Sequence, residues 1–117
     1  MRVLIVDDQR TIDAAFKRLN EKIDVTFLCL ARNIADAKDL ISRNQLFDVW
    51  MLDNDLGNKE EGIYFLQDMI NFFPLLVPEK VLCISSNMER KEQMEDLFAQ
   101  WCKHGRPDNG CLIPLGG

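Results

Sequence analysis

Acidic residues stand directly after two apolar runs of the sequence. Asp7 and Asp8 follow the run VLIV, and Asp53 follows the run VWML. Carboxylates that converge repel one another and raise one another's pKa. A hard divalent cation removes that conflict, and Mg²⁺ suits two or three carboxylates together with a backbone carbonyl and water. These residue types therefore indicate a magnesium site, provided that the fold brings the two runs side by side.

Asp53 has a second chemical option, because a carboxylate can attack phosphorus and form an acyl phosphate. The metal would then neutralise charge on the transferred group. Ser85 offers a hydroxyl to a phosphoryl oxygen. The other candidates for this pocket are the polar neighbours of these residues, Asn54, Asp55, Ser86 and Asn87. Taken alone, each cluster is more often structural, as a helix cap or a solvated turn, so only their convergence favours a shared site.

Short apolar runs alternate with helical periodicity along the chain. The predicted strands are residues 2–6, 24–30, 47–52, 80–84 and 111–115. Apolar stripes at helical spacing predict four helices, centred on residues 12–19, 34–41, 66–73 and 94–101. This order, (βα)4β, predicts an α/β fold with a doubly wound, five-stranded parallel sheet in a single domain of residues 1–117. Ligands bind beyond the carboxyl ends of the strands in such sheets.

Local signals mark three helix ends and one unusual segment. Asn33 is suited to cap the second helix, Pro74 helps to end the third, and Gly105 stops the fourth. The run NFFPLLV at residues 71–77 is too apolar for an exposed loop. It is predicted to belong to the core, with a partner surface as the alternative.

The composition disfavours several classes of function. The formal net charge of −5 and the pI of about 4.8 argue against a nucleic-acid binder and against docking on an anionic membrane. No apolar run is long enough to span a bilayer, and MRVLIVDD lacks the pattern of a signal peptide. The cysteines form no C-x-x-C pair, so we expect reduced thiols in a cytoplasmic protein. They are Cys29, Cys83, Cys102 and Cys111.

These motifs together resemble the receiver domain of two-component response regulators. VLIVDD matches the first strand of that family, DVWMLD the third, Gly62 the start of the third helix, and ISS the end of the fourth strand. The resemblance implies a flavodoxin-like fold with strand order 2-1-3-4-5. It also implies a histidine kinase as phosphoryl donor and a downstream protein as the responding partner.

The same resemblance assigns roles to individual residues. Asp8 and Asp53 would ligate Mg²⁺, and Asp7 would support the site. Asp55 stands two residues after the acceptor, where the family uses a backbone carbonyl to complete the metal coordination. Asp53 would be the phosphoacceptor, and Ser85 would be the switch hydroxyl.

Parts of the receiver pattern are missing. The Lys-Pro pair that ends the family's fifth strand is Ile113-Pro114 here, CLIPL holds no aromatic switch residue, and no fifth helix is predicted. The loop NDLGNKEEG is one residue longer than the usual receiver loop and lacks its proline. In this it is similar to a receiver-like subgroup named for cyclic-phosphate processing, whose pattern is LDHDLG with a later H-S-x-N. The chain reads LDNDLG and ISSN, so Asn54 and Ile84 replace both histidines.

Three classes of function remain possible. The preferred hypothesis is a stand-alone, magnesium-binding regulatory domain that takes a phosphoryl group on Asp53, with no enzymatic activity beyond phosphorylation and dephosphorylation of that residue. The second is a metal-dependent protein that binds or processes a phosphate-bearing small ligand, either a cyclic or a nucleotide phosphate. The third is a degenerate receiver that acts as a protein-interaction module. The sequence leaves all three classes open. Every acidic residue of the receiver site is present, whereas the lysine of the fifth strand and both histidines of the subgroup pattern are absent.

Overall fold

Four parallel strands form one sheet in the computed structural model, which describes residues 1–9, 11–44, 46–57 and 59–106. The strands are β1 (Arg2–Val6), β2 (Phe27–Ala31), β3 (Val49–Leu52) and β4 (Lys80–Cys83). The helices are α1 (Ile12–Asn20), α2 (Ile34–Asn44), α3 (Gly62–Phe72) and α4 (Met88–His104), with a 3₁₀ turn at Pro74–Leu76. Strands and helices alternate along the chain, and the strand order is β2-β1-β3-β4.

The two central strands are buried on both faces of the sheet. The apolar residues 3–6 of β1 and 49–52 of β3 are at most 2% exposed. A parallel strand covered by helices on both sides needs such an unbroken apolar run, and VLIV and VWML supply it. Val6 lies opposite both Ala31 of β2 and Leu52 of β3. This register brings the carboxyl ends of β1 and β3 to the same edge of the sheet.

Alternate residues of each strand face different layers of helices. On one face, Leu4 and Trp50 pack against buried residues of α2, α3 and α4. On the other face, Val3, Ile5 and Met51 pack with Leu19 of α1. The predicted α/β class and the doubly wound arrangement are therefore confirmed for the described elements.

The observed strands differ from the predicted ones at their ends and in their number. β2 begins at Phe27 rather than at residue 24, and β3 begins at Val49 rather than at residue 47, because pairing with β1 starts only there. β4 ends at Cys83 rather than at residue 84. Four strands are observed among the described residues. The fifth strand, predicted at residues 111–115, lies outside that part of the chain.

The predicted helix ends agree with the structure. The side chain of Asn33 accepts a hydrogen bond from the backbone N–H of Asp36 at 2.8 Å and so caps α2. The helix α3 ends at Phe72, before Pro74, and Gly105 follows the last residue of α4. Over the described ranges, no helix combines the length and the apolar character that crossing a membrane requires.

The prediction that residues 71–77 belong to the core is wrong for most of that run. Phe72 is 72% exposed, Phe73 is 50% exposed and Leu75 is 63% exposed, whereas Val77 is buried. The 3₁₀ turn after α3 reverses the chain within a few residues, so only the end of the run returns to the sheet. The exposed aromatic side chains form an apolar surface at the end of α3.

Candidate functional site

The sheet itself places the first acids of the site. Its hydrogen-bond ladder continues past the strand ends, because the N–H of Asp7 donates to the carbonyl of Ala31 at 3.0 Å and the N–H of Asp53 donates to the carbonyl of Val6 at 2.9 Å. The backbones of Asp7 and Asp53 therefore continue the hydrogen bonding of the strands they follow. Parallel pairing then brings both residues to one edge.

Three carboxylates converge at this edge. Each of Asp7, Asp8 and Asp53 offers an oxygen atom, and these atoms all lie within 4.8 Å of one another. Asp7 is buried, whereas the other two are half-buried. Burial raises the pKa of Asp53, and the nearby charge of Asp7 raises it further. The site thus presents oxygen ligands in an electrostatically unfavourable arrangement, and this is the donor set that a hard cation such as Mg²⁺ fits.

An open cavity of about 690 Å³ lies over these carboxylates. Its lining consists of Asp7, Asp8, Gln9, Asp53, Asp55, Gly57, Ile84 and Ser86. None of these described lining residues carries a positive charge. Arg32, at the end of β2, brings a guanidinium to the neighbourhood of the site, where it donates to the backbone carbonyl of Asp7 at 3.2 Å.

The loop between β3 and α3 closes one side of the cavity as a small antiparallel bridge between Asp55 and Glu61. The N–H of Gly62 donates to the carbonyl of Asn54 at 2.7 Å, and the N–H of Leu56 donates to the carbonyl of Glu60 at 3.1 Å. Both hydrogen bonds join residues next to the bridged pair, and neither involves Asp55 or Glu61 itself. The bridge therefore does not use the carbonyl of Asp55, the group expected to complete the metal coordination.

Two glycines of this loop stand where a side chain would disturb the site. Gly57 has φ +75°, a conformation that other residues adopt only with strain, and a Cβ there would lie 3.3 Å from a carboxylate oxygen of Asp8. At Gly62 a Cβ would collide with the backbone carbonyl of Asp53. The motif DLG followed by a second glycine thus has a steric explanation.

Asn54, predicted as a pocket residue, supports the cavity from behind and does not line it. Its side chain is fully buried, and its oxygen accepts a hydrogen bond from the N–H of Ile63 at 3.1 Å. Its amide nitrogen donates to Glu61 at 3.1 Å and to Asp55 at 3.3 Å. Asn54 therefore ties the residues after Asp53 to the start of α3.

The turn after β4 presents Ser86 to the cavity and turns Ser85 away from it. Ser85 is 5% exposed, and its hydroxyl oxygen accepts a hydrogen bond from the N–H of Asn87 at 3.0 Å. Side chains alternate between the faces of a strand, so Ile84 continues the face of Leu82, whereas Ser85 continues the opposite face. The predicted pocket residue Asn87 caps α4, with its side-chain oxygen accepting from the N–H of Arg90 at 3.1 Å.

Two residues of the cavity lining were not predicted from the sequence. Gln9 stands two residues after Asp7, and its N–H donates to the carboxylate of Asp7 at 2.9 Å. Gly57 was visible only as part of DLG, and the positive φ angle that makes it necessary is a property of the folded loop. Both belong to loops at the carboxyl edge of the sheet, where ligand sites of such folds lie. In the sequence, only their position shortly after a predicted strand could have marked them as site residues.

Comparison with known proteins identifies the family. The model of a family described as the cyclic-phosphate processing receiver domain matches residues 2–100. No curated protein matches the chain. A solved fusion protein that contains a trimeric coiled coil of yeast Spc42 is 12% identical, with a TM-score of 0.47 over 97% of this chain and 87% of that chain, a score too low to support an argument. The family match runs from β1 into α4 and includes every acid of the site, and on that basis the chain belongs to the family of cyclic-phosphate processing receiver domains.

Proposed function

We propose that this domain binds Mg²⁺ through its acidic cluster and, with it, a small ligand that carries a cyclic or nucleotide phosphate. The observation that carries the proposal is the convergence of Asp7, Asp8 and Asp53 within 4.8 Å beneath an open cavity. The volume of about 690 Å³ lies in the range of small-molecule sites in proteins. Membership of a cyclic-phosphate processing family supports the choice of ligand class.

Each residue of the site has a role in this proposal. Asp8 and Asp53 are the metal ligands, and the carbonyl of Asp55 is a further oxygen ligand. Asp7 is buried behind them, so it adds negative charge and hydrogen-bonds the backbone of the following loop. Ser86 lines the opposite wall, from which a hydroxyl can donate to a phosphate oxygen. When bound, Mg²⁺ supplies the positive charge that a phosphate requires next to carboxylates.

Binding is proposed rather than hydrolysis because the usual proton carriers of the family pattern are replaced. Asn54 does not titrate and is fully buried, and Ile84 has no polar atom. The single histidine of the sequence, His104, is the last residue of α4. It stands sixteen positions after Met88, so it lies about 24 Å along the helix from the cavity end. No imidazole of this sequence can therefore act as general acid or base at the site.

The phosphoacceptor hypothesis is the second candidate, and one observation favours it. The half-buried carboxylate of Asp53 lines the open cavity, so a phosphoryl donor can reach it. In that reaction a carboxylate oxygen attacks phosphorus and the P–N bond of a phosphohistidine breaks. The nitrogen that carried the phosphoryl group takes a proton from solvent, and neutral imidazole is the leaving group. The lack of a cation among the described lining residues weighs against this candidate, because the metal alone would then have to neutralise the negative charge of the transferred group.

Calorimetric titration separates the candidates. Mg²⁺ is titrated first, and then either a 2′,3′-cyclic nucleotide or beryllofluoride, which mimics an acyl phosphate, is added to the magnesium-loaded protein. Binding of the cyclic nucleotide supports the first candidate, and binding of beryllofluoride alone supports the second. Absence of any magnesium heat contradicts both.

Asp53→Asn is the variant that should lose the magnesium heat. Asp96→Asn is the matched control, because Asp96 is an exposed acid on α4 and lies outside the cavity lining. Equal loss of binding in both variants would show that net charge, rather than the acidic cluster, governs the titration.

A further inference from the structure

A continuous set of polar contacts leaves the cavity through the residue behind Asp53. The amide nitrogen of Asn54 donates both to the carboxylate of Asp55, on the cavity wall, and to the carboxylate of Glu61. The same oxygen of Glu61 lies 2.9 Å from the Nε of Arg90 on α4. Asn54 and Arg90 thus share one carboxylate oxygen, which connects the loop before α3 to a different helix.

The contacts continue on the other side of Arg90. Its backbone N–H donates to the side-chain oxygen of Asn87 at 3.1 Å, and the N–H of Asn87 donates to the hydroxyl of Ser85 at 3.0 Å. Ser85 lies between Ile84 and Ser86, the two residues that form the second wall of the cavity. The network therefore begins at a residue of one wall and ends at Ser85, which is buried next to the two residues of the other wall.

The ion pair between Glu61 and Arg90 is shorter and less exposed than an ordinary surface ion pair. The side chains are 26% and 33% exposed, so solvent screens their charges only in part. Arg90 is also fixed by a hydrogen bond from its guanidinium to Gln93 at 2.7 Å. The pair between Lys38 and Asp68, which joins α2 to α3, is longer at 3.6 Å and about half exposed. Exposed pairs of that kind contribute little.

Glu60, the neighbour of Glu61, holds the same loop on its opposite side. Its carboxylate accepts a hydrogen bond from the N–H of Ile34, the first residue of α2, at 3.1 Å. A negative charge at a helix N-terminus is favourable. The two adjacent glutamates thus attach the loop to α2 and to α4, and the loop cannot shift without breaking one of these contacts.

We propose that Glu61 and Arg90 are positioning residues of the acidic site. Their contact joins the loop that carries Asp55 to the first turn of α4. It adds to the sheet hydrogen bond from the N–H of Ile84 to the carbonyl of Leu52 at 2.9 Å, and the two contacts together fix the two walls of the cavity relative to each other. The ion pair also couples occupancy of the cavity to α4, since the first turn of that helix carries Arg90. The inference rests on the proposed function, because it assigns the residues that set the affinity of that site and its link to a helix surface.

The test compares the magnesium affinity of variants that break the contact with that of a control variant. Arg90→Ala and Glu61→Ala should each raise the Kd for Mg²⁺ by about two- to tenfold, because both residues act on the site through a network of contacts and neither touches a metal ligand. The double variant should bind Mg²⁺ no more weakly than the single variant with the lower affinity, because both substitutions break the same contact. Lys38→Ala removes the control pair and should leave the Kd unchanged. Should Glu61→Ala fail to fold, Glu61→Gln, which keeps an acceptor for Asn54 while removing the charge, takes its place.

Unchanged magnesium affinity in Arg90→Ala, or effects of the two single variants that simply add, would overturn the inference. A second readout is independent of metal binding: the side-chain amide resonances of Asn54 should move in Arg90→Ala and stay in place in Lys38→Ala. If the wild-type protein binds no Mg²⁺, the proposed function fails. The Asn54 resonances still show whether Arg90 is connected to Asn54 through Glu61. Unmoved Asn54 resonances would then show that Glu61 does not connect Asn54 to Arg90.

Discussion

The α-carbon of Gly62 lies against the backbone carbonyl of Asp53, so closely that a Cβ at residue 62 would collide with the oxygen of that carbonyl. Asp53 is the central acid of the site, and Gly62 is the first residue of α3, nine positions later. The N–H of Gly62 also donates to the carbonyl of Asn54 at 2.7 Å. The start of the helix is therefore pressed against the backbone that carries the acid, and only glycine permits this approach.

Gly62→Ala should consequently damage both the fold and the site. We expect the free energy of unfolding to fall by about 2–3 kcal/mol, because the backbone of residues 53 and 54 must move to admit the methyl group. Magnesium affinity should fall as well. Urea denaturation and calorimetry measure the two effects. Gly105→Ala is the contrast, since a Cβ there meets the ring of Trp101 at 3.1 Å rather than a backbone carbonyl, and a side chain can yield. A larger loss of stability in Gly105→Ala would contradict this account.

Asp8→Asn should weaken magnesium binding by about tenfold or more, because it removes one of three converging carboxylates while leaving a group of the same shape. The fold should persist, since Asp8 is only half-buried and follows the strand. Titration calorimetry on this variant and on the exposed control Asp96→Asn provides the comparison. A Kd equal to that of the wild type would remove Asp8 from the metal site.

Stability in the absence of metal should depend on pH through Asp53. Burial, and secondarily Asp7, raise the pKa of Asp53 in the folded protein above its ordinary value. The folded state therefore holds this proton more tightly than the unfolded state. The resulting stability is complete below the unfolded pKa and is lost as the pH rises through the folded pKa. Once ionised, Asp53 destabilises the metal-free fold.

Asp53→Asn should accordingly raise the free energy of unfolding, in the presence of a chelator, wherever Asp53 is ionised in the wild type. It should also flatten the loss of stability that begins as the pH rises above about 4. Excess Mg²⁺ should reverse the order, because only the wild-type protein gains stability from binding it. Urea midpoints below and above that pH, with Asp96→Asn as control, provide the measurement. A metal-free Asp53→Asn variant that is less stable than the wild type at neutral pH would show that the carboxylate has a stabilising partner.

Leu4→Asp should unfold the domain. Leu4 lies at the centre of β1 with no exposed surface, and a charge placed there would have no partner within the apolar core. The expected cost is about 5 kcal/mol or more, comparable with the whole stability of a small domain. Leu46→Asp places the same charge on a side chain that is 68% exposed and should be tolerated. Circular dichroism and cooperative thermal unfolding distinguish the two outcomes, and a cooperatively folded Leu4→Asp variant would contradict the central position of β1.

The sequence by itself determined the order of the elements and the location of the acids. Unbroken apolar runs at VLIV and VWML specify central parallel strands, and the residues directly after such a strand must emerge at its carboxyl edge. Asp7, Asp8 and Asp53 could therefore be assigned to one site before any distance was known. The cap at Asn33 was equally readable, because a cap depends on residues three positions apart.

Only the tertiary structure decided which polar side chains face the cavity and which support it. The exposure of Ser86 and the burial of Ser85 depend on how the chain turns after β4, and the burial of Asn54 depends on where α3 begins. The contact of Glu61 with Arg90 joins the loop before α3 to the first turn of α4. Such relationships depend on the packing of helices against a shared sheet, and no local spacing in the sequence encodes that packing.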